Sequence, residues 1–326
     1  MNALSAICAV VVNWNGWCDT IVCVDSLLAL GNSPLRVVLC DNASADGSVS
    51  ELTHYLNGRL SQWRQEPDGL GWTNPQPSEG VLSVHLLRMP QNLGYAGALN
   101  AGIRWARERW TPNGLWLLNN DVKAEPGALA ALVAAHDSVS RAGICGSVLL
   151  EWDDPPRIQA VAGVHRRWLG VGWHDKNLPA EGGDVSLAVD YPVGASMYVS
   201  AEYVDAVGLL DASYFLYNEE IDWAERGRRL GYRPLVALRS CLRHKEGAST
   251  GSGGGVRNKS LLSEYYGVIN RLRVTWKFWP YYWPVVWLSL LLVVLDRLVH
   301  REWARAWLVL RSMLWPGAAA KGMRTR

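Results

Sequence analysis

Phenylalanine is nearly missing from this 326-residue chain, with two residues against eighteen tryptophans and twelve tyrosines. Aromatic burial therefore falls to side chains that carry a polar handle. The six cysteines (Cys8, Cys18, Cys23, Cys40, Cys145, Cys241) form no CxxC pair and no His/Cys cluster at zinc spacing. That excludes a zinc module and argues for a reducing compartment. Cys8 and Cys40 sit in apolar, strand-like runs, as small buried hydrophobes do. Charge of one sign is also lacking: 32 basic minus 30 acidic residues leaves +2, which makes no electrostatic case for nucleic acid as a partner. The N-terminal MNALSAICAVVVNWNG has no basic n-region and no cleavage site, so it reads as a first β-strand and not as a signal peptide. There is no internal repeat. With 49% hydrophobic and 19% charged residues, the composition is that of a folded protein long enough for one large or two modest domains.

What is present is alternation. Ala6–Val12 is a β-branched apolar run, followed by a break at Asn13–Gly16 and helical spacing over Trp17–Leu30. Leu35–Cys40 reads as a second strand ending at Asp41, then a helix from about Gly47 to Leu56. Leu82–Leu87 and Leu115–Leu118 read as strands around a helix over Tyr95–Trp110, and 58–80 as a polar surface insertion. Strands alternating with helices predict an α/β fold with a mostly parallel sheet, whose ligands sit at the carboxyl ends of the strands. The polar residues fall at those ends: Asn13 and Asn15, Asp41 and Asn42, Asn92, then Asn119 to Asp121.

Beyond residue 143 the pieces shorten. Ile144–Leu150 predicts a strand, 158–177 a hairpin or loop, Val189–Val199 strands around Pro192-Val193-Gly194, and Glu219–Leu230 a helix. The glycine-serine segment 243–255 reads as flexible linker. Lys259–Phe278 is amphipathic and basic, and Phe278–Leu295 runs 18 residues without charge, at the lower limit for a membrane span. Seven basic residues against Glu302 follow from Arg297 onward. Tryptophans beside an apolar stretch and then positive charge suit a helix lying on an anionic leaflet; the alternative is a helical hairpin packed on the core.

Five constellations offer chemistry, and each has a structural alternative. In DNASADGS (41–48), Asp41 suits a base N–H or a ribose hydroxyl, or simply an Asx turn. NLGYAGALNAGI (92–103) brings Gly94 and Gly97 to a helix start, where small residues admit a ligand or a neighbouring backbone; its spacing is not that of a dinucleotide fingerprint. WLLNNDV (116–122) ends a strand on Asp121, which suits Mg²⁺ or Mn²⁺ completed by phosphate oxygens, or else a polar strand end. In NEEIDW (218–223), Glu219, Glu220 and Asp222 offer a general base, or first-turn negative charge favoured by the helix dipole. His244, ahead of the glycine-rich loop, is a candidate metal ligand or a structural histidine.

VVNWNG, DNASADGS, NLGYAGALNAGI, WLLNNDV, VGASMYVS, FLYNEEIDWAERGRRLGY and HKEGAST, in this order over residues 6–250, resemble the family 2 glycosyltransferases, in particular the rhamnosyltransferase-like group of bacterial polysaccharide assembly. The resemblance implies a GT-A fold, with a nucleotide-sugar half (1–122) and an acceptor and catalytic half (123–250); the composition after it adds a C-terminal helical, membrane-associating region (256–326). It implies a divalent cation (Mg²⁺ or Mn²⁺), inversion at the anomeric carbon, and a nucleoside diphosphate sugar as donor, dTDP-rhamnose first. Position by position, Glu220 stands at the base, with Glu219 and Asp222 beside it. Asp121 and His244 stand at the metal–diphosphate. The donor positions are Asn13, Asn15, Asp41, Asn42, Asn92, Gly94, Asn100, Asn120 and Asp121. Two departures are visible: NND carries one acid where the family often has two, and glutamate stands where aspartate is common. The expected acceptor is a glycan or lipid-linked glycan at the cytoplasmic face of the inner membrane. Two other readings are a non-catalytic glycan-binding relative and a sugar-phosphate nucleotidyltransferase, although the latter's glycine-rich basic signature is absent from NWNGWCDT.

Overall fold

The computed structural model describes residues 7–31, 34–76, 80–179, 183–187, 189–245 and 260–314. Its elements in chain order begin β1 (Ile7–Asn13), α1 (Trp17–Leu28), β2 (Leu35–Asp41), α2 (Ser48–Arg59), β3 (Arg64–Gln65), β4 (Gly71–Thr73), β5 (Val81–Arg88) and α3 (Gly94–Trp110). Then come β6 (Gly114–Asn119), β7 (Val122–Ala124), α4 (Ala128–Asp137), β8 (Ala142–Leu150), β9 (Ile158–Ala160), β10 (Ala162–Arg166), β11 (Val171–Asp175), β12 (Val185–Ser186) and β13 (Ser196–Ser200). The remainder is α5 (Ala201–Val207), α6 (Glu219–Arg229), β14 (Arg233–His244), α7 (Leu261–Phe278), α8 (Trp283–Val299) and α9 (Trp303–Leu314).

The main sheet runs β12-β14-β8-β13-β6-β1-β2-β5-β4-β3. Its centre, β6-β1-β2-β5, is parallel; β13 enters antiparallel between β6 and β8, and β14 is again parallel to β8. Both faces are covered, as β1 shows: Ala9 and Val11 join a core with α1, α2 and α4, while Cys8, Val10 and Val12 join one with α3, α5 and α6. A strand buried on both sides has no polar alternation to display, hence its continuous apolar run. Gly102 lets α3 lie close on this sheet, since a Cβ there would fall 2.5 Å from Val10 Cγ1 and 2.7 Å from Cys40 Sγ. All six cysteines are free thiols.

Several expectations change. The 58–80 insertion carries β3 and β4, which extend the sheet beyond β5, and Trp72 is 1% exposed in the core. Over 189–199 only Ser196–Ser200 is strand; Val193-Gly194-Ala195 forms a loop. Of 243–255, Arg243 and His244 end β14, and 246–259 lie outside the described residues. The basic segment after 259 is not peripheral: Val274 and Phe278 of α7 belong to the core beside α3 and α6.

Candidate active site

The carboxyl ends of β1, β2 and β6 are tied together by side chains. Asn13, fully buried, donates from Nδ2 to Asp41 Oδ1 (2.8 Å) and accepts from Thr20 Oγ1 (2.7 Å). Asp41 Oδ2 accepts the Ser44 N–H (3.1 Å), and Asn120 Nδ2 donates to the Gly16 carbonyl and Thr20 Oγ1 (3.1 Å each). Asn15, exposed and at φ +51°, accepts the Ala45 N–H (2.7 Å). Asn42 holds the next turn, donating to Asn92 Oδ1 (2.9 Å) and accepting from the Leu93 N–H (2.8 Å).

Above these turns lies a cavity of about 550 Å³, lined by Asn42, Asn92, Gly94, Asn120, Asp121, Glu220 and His244, together with Trp14, Tyr95, His174, Val193–Ala195, Phe215–Tyr217, Ser260, Leu262 and Ser263. Asn13, Asn15, Asp41, Asn100, Glu219 and Asp222 do not line it. Asn100 is committed to the fold: it donates to the Leu210 carbonyl (2.8 Å) and accepts the Leu210 N–H (3.1 Å). Asp222, fully buried, is held by Arg226 Nε (2.7 Å), Lys277 Nζ (2.5 Å) and the Tyr214 hydroxyl (3.1 Å). That carboxylate anchors α6 to α7.

Asp121 and His244 arrive from separate strands. The antiparallel pairing of β14 with β7 sets His244 opposite Val122, and Lys245 N–H donates to the Asp121 carbonyl (3.1 Å). His244 Nε2 then lies 3.4 Å from Asp121 Oδ1. Both atoms are buried without a hydrogen-bond partner. Gln159 Nε2 donates to the His244 carbonyl (3.1 Å), and its Oε1 lies 2.7 Å from His244 Nδ1. With the Gln159 amide nitrogen so engaged, the tautomer that fits has Nδ1–H donating to Oε1 and leaves a lone pair on Nε2 facing the carboxylate. Two unpaired acceptors facing each other in a buried site fit a cation. Among the described residues no group of three or more His, Cys, Asp or Glu side chains gathers, which leaves Asp121 and His244 as the candidate ligands.

The two glutamates occupy different environments at the start of α6. Glu219 is 4% exposed, with Oε2 unpartnered, and burial together with the Glu220 charge pushes its pKa well above the usual carboxylate range. Glu220 is half-buried and on the cavity; desolvation, partly offset by backbone N–H donors, brings it to about 7. A carboxyl poised near neutral pH suits proton abstraction. The loop ahead of it is strained: Phe215, Tyr217 and Asn218 all have positive φ (62°, 69° and 71°). It rests on the N-terminus of α3, where Tyr95 N–H donates to the Phe215 carbonyl (2.7 Å). Gly94 is required there, because its φ is +73° and a Cβ would collide with that carbonyl.

Sequence reasoning missed Tyr95, His174, the α7 cap Ser260 and the α7 residues Leu262 and Ser263. VGAS, already among the family motifs, marked Val193–Ala195; nothing local marked His174 or α7 as part of a site.

The architecture is that of a GT-A protein. Similar solved structures include GalNAc-T7 with UDP, GalNAc and Mn2+ (TM-score 0.56, 15% identity, 83% of this chain and 51% of that one). Another is the mannosyltransferase PcManGT from Pyrobaculum calidifontis in complex with GDP-Man and Mn2+ (TM-score 0.54, 14% identity, 95% and 87%). Residues 8–161, just under half of the chain, match the model of Glycosyl transferase family 2. It is 25% identical over 250 residues to an N-acetylglucosaminyl-diphospho-decaprenol L-rhamnosyltransferase of Mycobacterium tuberculosis, covering 69% of this chain and 71% of that protein. It is 28% identical over 149 residues to the low-salt glycan biosynthesis hexosyltransferase Agl10 of Haloferax volcanii, covering 45% of this chain and 47%, about half, of that relative.

Proposed function

We propose that the protein is an inverting hexosyltransferase, moving a sugar from a nucleoside diphosphate donor to a hydroxyl of a lipid-linked or growing polysaccharide acceptor. The observation that carries this reading is one cavity containing Glu220, with a pKa raised to about 7, and the unpaired Asp121–His244 couple. Residues 1–122 would form the donor half and 123–250 the acceptor half. Likeness to a rhamnosyltransferase favours dTDP-rhamnose as donor. Mg²⁺ or Mn²⁺ held by Asp121 and His244 would neutralise charge on the departing diphosphate.

The residues divide the remaining work. Glu220 accepts the proton of the acceptor hydroxyl as that oxygen bonds to the anomeric carbon. The anomeric carbon–phosphate oxygen bond breaks on the opposite face, and the nucleoside diphosphate leaves with the electron pair. Burial and the neighbouring Glu220 charge push the Glu219 carboxyl well above the usual range, which opposes a second charge on that turn. Asn42 and Asn92 set the turn that lines the donor side, while Asp41, Asn13 and Asn120 hold the strand ends in register.

The acceptor reading draws support from the C-terminal helices. Tyr281, Val285, Leu288, Leu292, Leu295 and Val299 recur at three- and four-residue spacing and are 43–77% exposed; Trp303 and Trp307 of α9 are 66% and 59% exposed. Pro280–Val299 is long and apolar enough to cross a membrane. Its inner face, however, packs on α7, and buried Arg297 pairs with Glu264 of α7 (2.8 Å), which also holds Arg305 of α9 (2.7 Å). We place α8 along the cytoplasmic leaflet with its outer stripe in lipid.

A panel of nucleotide sugars with Mg²⁺ or Mn²⁺, scored by nucleoside diphosphate release, tests the activity. Asp121→Asn should lower metal-dependent donor affinity at least tenfold. Release from no donor in the panel would overturn the transferase reading, and unchanged affinity in Asp121→Asn would overturn the metal role.

A further inference from the structure

Asn270 lies at the middle of α7, fully buried, 50 residues after Glu220. Its Nδ2 donates to three carbonyls of the loop that leads into α6: Tyr214 (2.7 Å), Leu216 (2.7 Å) and Tyr217 (3.1 Å). The remaining carbonyl of that run, Phe215, accepts from Tyr95 N–H. Every carbonyl from 214 to 217 is thus engaged, three of the four by one side chain whose two amide hydrogens are shared among them.

This loop needs such a clamp. Phe215, at φ +62° and ψ −52°, closes a γ-turn in which Leu216 N–H donates to the Tyr214 carbonyl (2.7 Å), the rare and strained kind. Tyr217 and Asn218 follow in the left-handed region, and Glu219 opens the helix immediately afterwards. α7 supports the same loop by packing: Phe215 stacks on Tyr266 at 4.8 Å between ring centroids, and Tyr217 contacts Ser263 through its hydroxyl (3.4 Å).

We propose that Asn270 is a positioning residue for Glu220, and that α7 is a structural part of the active site as well as the base on which α8 and α9 are mounted. The inference rests on Glu220 being the base. Removing the C-terminal helices would accordingly abolish transfer, and not merely release a working enzyme from the membrane.

The test uses the full chain with Asn270→Asp, which keeps the shape and loses the donor, and Asn270→Ser, which keeps one donor. Single-turnover transfer, nucleoside diphosphate affinity and backbone hydrogen exchange are measured beside Glu220→Gln. The expected result is a transfer rate lower by about 10²-fold in Asn270→Asp, the scale of a misplacement near 1 Å. Asn270→Ser should fall between it and wild type. Diphosphate affinity should stay within threefold, and exchange should rise at 214–222 while the sheet stays protected. If Asn270→Asp transfers within threefold of wild type while Glu220→Gln is inactive, the positioning role falls and the base stands. If Glu220→Gln is active, both fall. Loss of sheet protection and of diphosphate affinity in both Asn270 variants would reduce Asn270 to a packing residue and overturn the proposal.

Discussion

Replacing Glu220 with glutamine removes the proposed base while keeping its shape, and the structure sets the size and pH dependence of the effect. General-base catalysis contributes about 10²–10⁴-fold, so Glu220→Gln should lose that much in single-turnover rate at pH 8, or roughly 3–5 kcal/mol of barrier. A carboxyl with pKa about 7 is about one-tenth ionised at pH 6 and nine-tenths at pH 8. The wild-type rate should therefore climb close to tenfold over those two units and then level, whereas the residual rate of the variant should lack this limb.

Stability gives an independent reading of the same group. Its folded pKa, about 7, lies above the ordinary 4.5. Its contribution is thus fully present below pH 4.5 and is lost as pH rises through 7. The full shift corresponds to about 3 kcal/mol, an upper figure because Glu220 keeps one side on the cavity. Glutamine does not titrate, so Glu220→Gln should melt a few degrees above wild type at pH 8 and lose that advantage at pH 4.5. Nucleoside diphosphate release and thermal melts across pH 4.5–8 measure both. A variant within threefold of wild type at pH 8, or a flat wild-type rate between pH 6 and 8, would refute the assignment.

Two further outcomes follow from the same geometry. Asn100→Leu leaves the Leu210 N–H and carbonyl without their partner, at a cost of about 1–3 kcal/mol each; the melting temperature should drop while donor affinity holds, and a selective loss of donor affinity would return Asn100 to the binding site. Converting Leu292, Trp303 and Trp307 to glutamate should weaken flotation with anionic vesicles by more than 10²-fold, since burying each such side chain contributes about 2 kcal/mol. A triple variant that floats as wild type does would remove the lipid face.

Much of the N-terminal part of the sheet was legible because its signals are local. Val10, Val11 and Val12 announce a strand covered on both sides, and the polar groups after it fall where a parallel sheet gathers its ligands. The α6 acids were equally visible, but their different settings were not: Glu219, Glu220 and Asp222 look alike in sequence, and only burial and partners separate a carboxyl pushed well above the usual range, one poised near 7 and one fixed by Lys277 and Arg226. β14 escaped notice because Arg233, Arg239 and Arg243 interrupt its apolar pattern and its register shifts against β8. Yet this strand alone brings His244 to Asp121, 123 positions away in sequence.

The same reasoning explains why α7 was misjudged. Its apolar spacing is shared by any helix with one buried face, and the adjoining tryptophan-rich run drew the whole region toward a membrane role. The distinguishing feature is polar. A membrane-facing helix has no use for a fully buried asparagine, whereas a helix that must hold an irregular loop needs a donor where the loop presents unpaired carbonyls. Asn270 and Glu264 are both such residues, one turned to the loop before Glu220 and the other to Arg297 and Arg305 beneath the exposed stripe. One helix thereby carries, on two of its sides, the support for the proposed base and the support for the exposed apolar stripe. A lipid-linked acceptor held at that surface would meet the catalytic loop across the α7 residues Leu262 and Ser263 that already line the cavity.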